Sequence, residues 1–372
     1  MKILQNQKFI FVVYVIAALA IAFQQYYLLA NYNNFTIFQH SSFHFFNHIN
    51  PYLKQPREHF DIFLYNPSFT ILFVPFAYLP SGVGLFSWCI FSFLIFFFSV
   101  RSFPLHEKSK IFMLYLIIPE LATSVMNLET NVTIAAFILF TFSYIEKEKF
   151  FSAAAFPNLS FFIKGYGAIS GIFFFLKKPS VKTFLFLGTW FLIIGGLPLI
   201  FYSPSQFKII YLQWFQQMQE IYSYYVGLSI MGLIKALVYK NVSILFIQLC
   251  GVFLFVITFL SVLIKKNYEH VKYLFLAYVM IWVIIFNHSS ESPTYIIASS
   301  GVFIWFLQSG KTILNSSLFV FFVILTMLSP TDLFPSYVRQ HFFVPYCLKA
   351  LPCTLIWIKL QVELLISKSN HV

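Results

Sequence analysis

The sequence predicts an all-α protein that crosses a membrane many times, and three observations predict it. Fifty-nine per cent of the 372 residues are hydrophobic and only 10% are charged, with a mean hydropathy of +0.80; a soluble globule of that composition could not hide its apolar surface from water. The apolar stretches are long and uniform, whereas the strands of a membrane β-barrel run for roughly 10 residues with alternating polarity. Short polar breaks divide these stretches into segments near the length that a helix needs to cross a bilayer.

The elements follow in order. No A-x-A site comes after the first run, Phe9 to Ala30, so it reads as a retained helix. A polar outer loop, residues 31–66, separates it from the next run, 68–100. Pro75, Pro80, Gly82 and Gly84 fall within that run, so it should be broken while making one net crossing. Further spans are expected near 111–128, 130–145, 150–164, 166–176, 183–202, 242–264, 271–287, 293–308, 313–329 and 349–366. The total is about 10 to 12 transmembrane helices, several of them short. Between 203 and 241, Tyr211, Trp214, Tyr222, Tyr224 and Tyr225 stand among Gln and Lys, the composition of an interfacial helical region. A lid over a lipid substrate is the sharper reading of the same segment. No repeat with a period of roughly 20 to 50 residues is visible, and residues 1–372 read as a single integral membrane domain.

Placing both termini in the cytoplasm puts 15 Lys and Arg on the cytoplasmic side and eight on the other, with Lys359 inside the last span, as the positive-inside rule requires. The net charge of +12 is then membrane anchoring and calls for no nucleic acid. The expected location is the cell membrane, a bacterial inner membrane. This orientation sends one set of polar segments to the non-cytoplasmic face: 31–66, Asn127 to Asn131, the break at Lys164, 203–241, Asn287 to Tyr295, and Ser329 to Lys349.

Several of those segments hold residues fit for chemistry. His40, His44 and His48 recur every four residues, which would line one helix face. No carboxylate completes a metal-ligand set at helical spacing, so a polar face is the favoured reading and no metal is expected. Cys89, Cys250, Cys347 and Cys353 lack metal-ligand spacing and read as packing residues. Glu58 and Asp61 are three apart, close enough for one to act as a base while the other orients a polar group; the plainer reading pairs them with Lys54 and Arg57 in a solvated loop. Asn127, Glu129 and Asn131 sit between two short helices, where polar groups left alone in lipid are costly. Lys164 interrupts an apolar run, either to meet a phosphate or to snorkel to the interface. Asn287 to Tyr295 gathers His288, Glu291 and three serines, more than a simple turn requires. Arg339 and His341 are weaker candidates.

An ordered set of these motifs resembles glycosyltransferase family 87 of the GT-C superfamily. It comprises Asn50-Pro51-Tyr52, Asp61 to Tyr65 with Pro67 and Pro75 ahead of Leu79-Pro80, the Asn131 turn, Lys164 after a short helix, Gly227-Leu228-Ser229, and His288 to Tyr295. The resemblance runs from about residue 9 to 366, and the order of the motifs carries it. It implies a GT-C-like membrane transferase with short broken helices and a long first outer loop. The implied partners are a polyprenyl-phosphate sugar donor, a glycan or glycolipid acceptor, and membrane lipids. The implied reaction moves a hexose such as mannose, with inversion, to an acceptor hydroxyl at the outer face.

An acidic base in the first outer loop belongs to that pattern, yet Asn33 and Asn34 stand where the family's aspartate usually falls. An amide cannot take a proton from a hydroxyl. Asp61, ahead of Glu58, then takes the role, or this member is inactive or differently specialised. Lys164, and after it Arg57 or His288, would meet the donor phosphate; Tyr65, Asn131, Glu291 and Ser229 would recognise substrate. No cofactor is expected. A lipid-linked sugar transporter and a non-catalytic assembly subunit are the competing readings: broken helices also suit transport, though the polar groups gather at one face rather than the midplane.

Overall fold

The computed structural model describes residues 6–221, 226–265 and 269–366. Tyr222, Tyr224 and Tyr225 of the interfacial segment lie outside the described residues. The chain is 77% helical and has no strand among the described residues, so the all-α class holds. Among the described residues, four helices are long and apolar enough to cross a membrane unaided: Gln7–Leu28, Ser81–Ser102, Val181–Ile200 and Ile244–Lys265. Glu107–Leu116 and Ile118–Met126, bent by 48° at a short break, would together make a fifth. Asn131–Glu146, Phe150–Ile163, Gly165–Lys177 and Ile313–Leu328 are apolar but shorter. At about 1.5 Å per residue a 16-residue α-helix reaches only about 24 Å of a hydrocarbon core near 30 Å. Hydropathy alone does not separate such helices from full crossings.

Contacts group the chain into two compact units. The first comprises Met1–Leu105, Val125–Gly171 and Pro179–Tyr224; the second comprises His106–Ser124, Ile172–Lys178 and Tyr225–Val372.

In the first unit, α1 (Gln7–Phe23) leads to α2 (Asn33–Phe46). The loop after α1 is thus largely helical at its start, because Phe35, Ile37, Phe38 and Phe45 supply a buried stripe between polar residues. The expected break in 68–100 is present as α3 (Pro67–Leu72), α4 (Val74–Ala77) and α5 (Ser81–Ser102). Prolines set these boundaries: Pro67 and Pro75 occupy first-turn positions and Pro80 precedes α5, where a missing N–H costs nothing. Asn66 caps α3 by accepting from the Ser68 N–H at 2.9 Å. Gly84 permits the return of α5, since a Cβ there would lie 2.5 Å from the Phe76 carbonyl oxygen.

An aromatic cluster fixes α2 on this broken hairpin. Phe38 meets Tyr65, Phe69 and Phe73 edge to face at 4.8, 5.1 and 5.3 Å, and such pairs add about 0.5–1.5 kcal/mol each beyond area burial. The Tyr52 hydroxyl donates to the Tyr65 carbonyl at 3.0 Å, and Trp88 Nε1 donates to the Leu128 carbonyl at 3.0 Å. These two bonds anchor the loop and the turn that carry the polar side chains described below.

The second unit is built around helices that are apolar on every side, as a core helix should be. The α-helices Glu269–Ile285 and Tyr295–Gln308 are buried along almost their whole length. Gly301 lets them approach: a Cβ there would sit 2.8 Å from the Ala277 carbonyl oxygen. The helix Ala350–Ile366 packs on the first of them, with Tyr278 donating to Gln361 Oε1 at 2.7 Å.

Candidate active site

The first unit contains a compact polar cluster around Lys164. The helix Phe150–Ile163 ends there because Lys164 adopts an extended backbone, φ −136° and ψ 105°, before a 3₁₀ helix begins at Gly165. Opposite it, Leu128 takes a left-handed conformation, φ 55°, uncommon for a residue other than glycine. The turn holds it: the Leu128 N–H donates to the Val125 carbonyl at 2.8 Å. The chain reversal leaves Glu129 and Asn131 facing Lys164, whose Nζ donates to Glu129 Oε2 at 2.8 Å and to Asn131 Oδ1 at 2.9 Å. Asn131 Nδ2 donates to the same Glu129 oxygen at 2.8 Å, and the Tyr166 hydroxyl donates to Asn131 Oδ1 at 3.0 Å. The Tyr65 ring lies 5.7 Å from Nζ, and its hydroxyl accepts from Thr130 at 3.3 Å.

Lys164 and Glu129 side chains are 20% and 16% exposed. Burial pushes the Glu129 carboxyl up, but the Lys164 ammonium and the hydrogen bonds from Lys164 and Asn131 outweigh it and hold the group below the usual carboxylate range. Glu129 is therefore ionised at neutral pH. The ammonium has a specific partner, which a snorkelling lysine would not need.

The start of α2 ties this cluster to the first loop. Asn33 Oδ1 accepts from the Phe60 N–H at 3.0 Å, and Asn34 Nδ2 donates to the Asn127 carbonyl at 2.8 Å. Asn34→Asp should lower stability by about 0.5–1.5 kcal/mol, because a carboxylate cannot donate to a carbonyl; denaturant unfolding in detergent would show it, and an unchanged midpoint would mean that the bond contributes nothing.

Farther along α2, one carboxylate oxygen, Glu58 Oε2, lies 2.9 Å from His40 Nδ1 and 3.1 Å from His44 Nε2. Burial raises the Glu58 carboxyl, and the two imidazoles lower it by more, leaving it depressed. These imidazoles, rather than Lys54 or Arg57, lie within hydrogen-bonding distance of it. Spacing correctly put His40 and His44 on one face. His48 departs from it, because α2 ends at Phe46 and His48 turns to φ 58°; its ring lies 4.7 Å from Tyr202. No group of three or more His, Cys, Asp or Glu among the described residues is arranged to hold a metal ion. Asp61 is exposed and its Oδ1 accepts from the Ile62 N–H at 2.8 Å. Arg57 is exposed on the same loop.

The other sequence candidates lie in the second unit. The Gly227 and Leu228 N–H groups donate to the His288 and Ser290 carbonyls at 2.8 and 2.7 Å, pinning two motifs together. Ser229 is buried and caps the helix Ile230–Leu237, accepting from the Gly232 N–H at 3.2 Å and donating to the Gly227 carbonyl at 3.3 Å. The fold thus occupies this hydroxyl. Burial pushes the His288 imidazole down, and Glu291 is exposed. Beside them, Lys349 Nζ donates to both oxygens of Glu120, at 2.9 and 3.1 Å, and to Ser292 Oγ at 2.9 Å.

Residues 63–287 match the model of glycosyltransferase family 87, more than half of the chain. The chain belongs to glycosyltransferase family 87. It is a membrane glycosyltransferase, as the motif order implied. No individually curated protein matches it.

The region shared with family 87 takes in Tyr65, Glu129, Asn131, Lys164 and Tyr166, all members of one cluster. Glu58 and Asp61 lie just before it and His288 and Glu291 just after, so their roles rest on this chain's own geometry. Sequence reasoning noticed Glu129 only as one of three polar residues in a turn, and passed over Glu120 altogether. The available signal was a carboxylate inside an apolar run, which demands a partner. Lys349 reads in the sequence only as the end of the polar segment from Ser329, because its partner is 229 residues away.

Proposed function

We propose that this family 87 transferase moves a hexose, mannose foremost, from a polyprenyl-phosphate donor to a hydroxyl of a glycan or glycolipid at the non-cytoplasmic face of the cell membrane. The observation that carries the reading is the Lys164 cluster: an ammonium fixed at a helix interruption, ringed by an amide, a carboxylate and two tyrosines. In a single displacement the acceptor oxygen attacks the anomeric carbon as the bond to the phosphate breaks. The phosphate gains negative charge as it leaves, so a fixed cation beside it stabilises the transition state more than the bound donor. Lys164 fills that role, Asn131 and Tyr65 offer hydrogen bonds and a ring face to the sugar, and Arg57 is a further cation on the first loop. The proton acceptor comes from the first loop, residues 31–66, which carries Glu58 and Asp61.

A transfer assay tests the reading. The full chain in lipid nanodiscs should move labelled mannose from polyprenyl-phosphate-mannose to a glycolipid acceptor, releasing polyprenyl phosphate. Donor movement across vesicles without release would instead make the protein a transporter, and no turnover of any polyprenyl-phosphate hexose would sink the proposal.

The orientation has its own test. Lys54→Cys and Ser289→Cys, each in a Cys250→Ser background because Cys250 is the exposed native thiol, should both react with a membrane-impermeant maleimide in intact cells. Protection of both would invert the topology.

A further inference from the structure

Two imidazoles converge on one carboxylate in the first loop and a third lies beside them, and the transfer reading has so far used none of them. The His40 ring lies 6.4 Å from His44 on its own helix and 6.4 Å from His59 on the loop. Together with Glu58 these are the titratable groups that face it. The three differ in what their nitrogens can still do. His59 is 5% exposed and its Nδ1 is engaged by the Asp61 carbonyl. The His44 side chain is 10% exposed, its Nε2 is taken by Glu58, and its Nδ1 is buried. Of the three, only His40 combines a carboxylate on one nitrogen with a side chain as much as 30% exposed.

The tautomer follows from the contact. A carboxylate oxygen 2.9 Å from Nδ1 fixes the proton on that nitrogen and leaves the lone pair on Nε2, the same orientation a buried aspartate imposes on a catalytic histidine in hydrolases. We propose that His40 is the general base of the transfer, its Nε2 accepting the proton of the acceptor hydroxyl, with Glu58 a positioning residue that holds the ring in that tautomer. The inference rests on the transfer reading given above. The bond between acceptor oxygen and anomeric carbon forms as the bond from that carbon to the phosphate oxygen breaks. The electron pair of the broken bond stays on the phosphate, polyprenyl phosphate departs, and the acceptor proton passes to Nε2 and then to water.

Basicity supports the division of labour. Two imidazole contacts depress Glu58, which makes its carboxylate a poorer proton acceptor. Histidine is the side chain that most often serves as a general base, and a neutral ring offers its free lone pair to the acceptor proton.

Two experiments test the assignment, one of them independent of substrate. Diethylpyrocarbonate attacks unprotonated, accessible imidazole, so peptide mapping of the full chain in nanodiscs should find His40 modified ahead of His44 and His59; an unmodified His40 overturns the proposal. With polyprenyl-phosphate-mannose and the acceptor found above, His40→Gln should lower kcat by about a hundredfold or more at unchanged KM. Imidazole in the buffer should partly restore His40→Ala. Glu58→Gln should lower kcat by about tenfold, again at unchanged KM. Wild-type kcat/KM should rise with pH along a limb that His40→Gln removes. Near-normal turnover by His40→Gln with the limb retained, and Asp61→Asn inactive, would assign the base to Asp61. If the wild type transfers nothing while His40 is modified normally, the transfer reading itself has failed and the assignment falls with it.

Discussion

Lys164→Gln is expected to lower turnover by about a hundredfold or more, the scale on which removing one fixed donor from a developing anion slows an enzyme. Donor binding should weaken as well, because the ammonium meets the phosphate before it departs. Lys164→Arg should be partly tolerated: the charge survives, but a planar fork does not fit a cage built around a point ammonium. The substitution also strands Glu129, and removing one partner of a buried pair costs about 3–5 kcal/mol. With 20% and 16% exposure the cost here should lie toward the lower end. The measurement must therefore be turnover per folded protein, with Lys164→Gln/Glu129→Gln as the control that removes both charges. That double variant should fold and remain slow. If it turns over at the wild-type rate, or if Lys164→Gln alters only yield and leaves kcat and donor affinity intact, Lys164 is a structural residue.

Lys349→Met should be the most destabilising single change in the second unit, by about 3–5 kcal/mol. Lys349 and Glu120 side chains are 4% and 0% exposed, so water does not screen the pair, and the Lys349 donors are spent on Glu120 and Ser292. Removing the lysine leaves a buried carboxylate with nothing to balance it. Lys349→Met/Glu120→Leu should recover most of the loss, since replacing a whole buried pair with apolar side chains is often neutral. Thermal unfolding in detergent decides this: a single variant as stable as wild type, or a double variant worse than the single, would show that the pair does not act as a balanced unit.

By itself the sequence determined those features that depend on composition and on neighbours along the chain. A 59% hydrophobic composition determined the membrane class, because burying so much apolar surface needs lipid. Pro75 and Pro80 determined the break in 68–100, because a ring in place of an N–H acts wherever it stands. The spacing of His40 and His44 placed both on one side of α2, because helical period is local. Motif order pointed to the right family.

The tertiary structure decided which polar groups meet. Glu58 and His40 are 18 residues apart, Glu129 and Lys164 are 35 apart, and Glu120 and Lys349 are 229 apart. No local pattern announces such pairs: each charge alone reads as a loop residue or an anchor, and only chain reversals and close-packed helices bring the partners together. The same holds for Asn33 and Asn34, whose amides look like lost acids in the sequence and prove to be tethers, since hydrogen-bond partners at Phe60 and Asn127 are set by the fold and not by spacing.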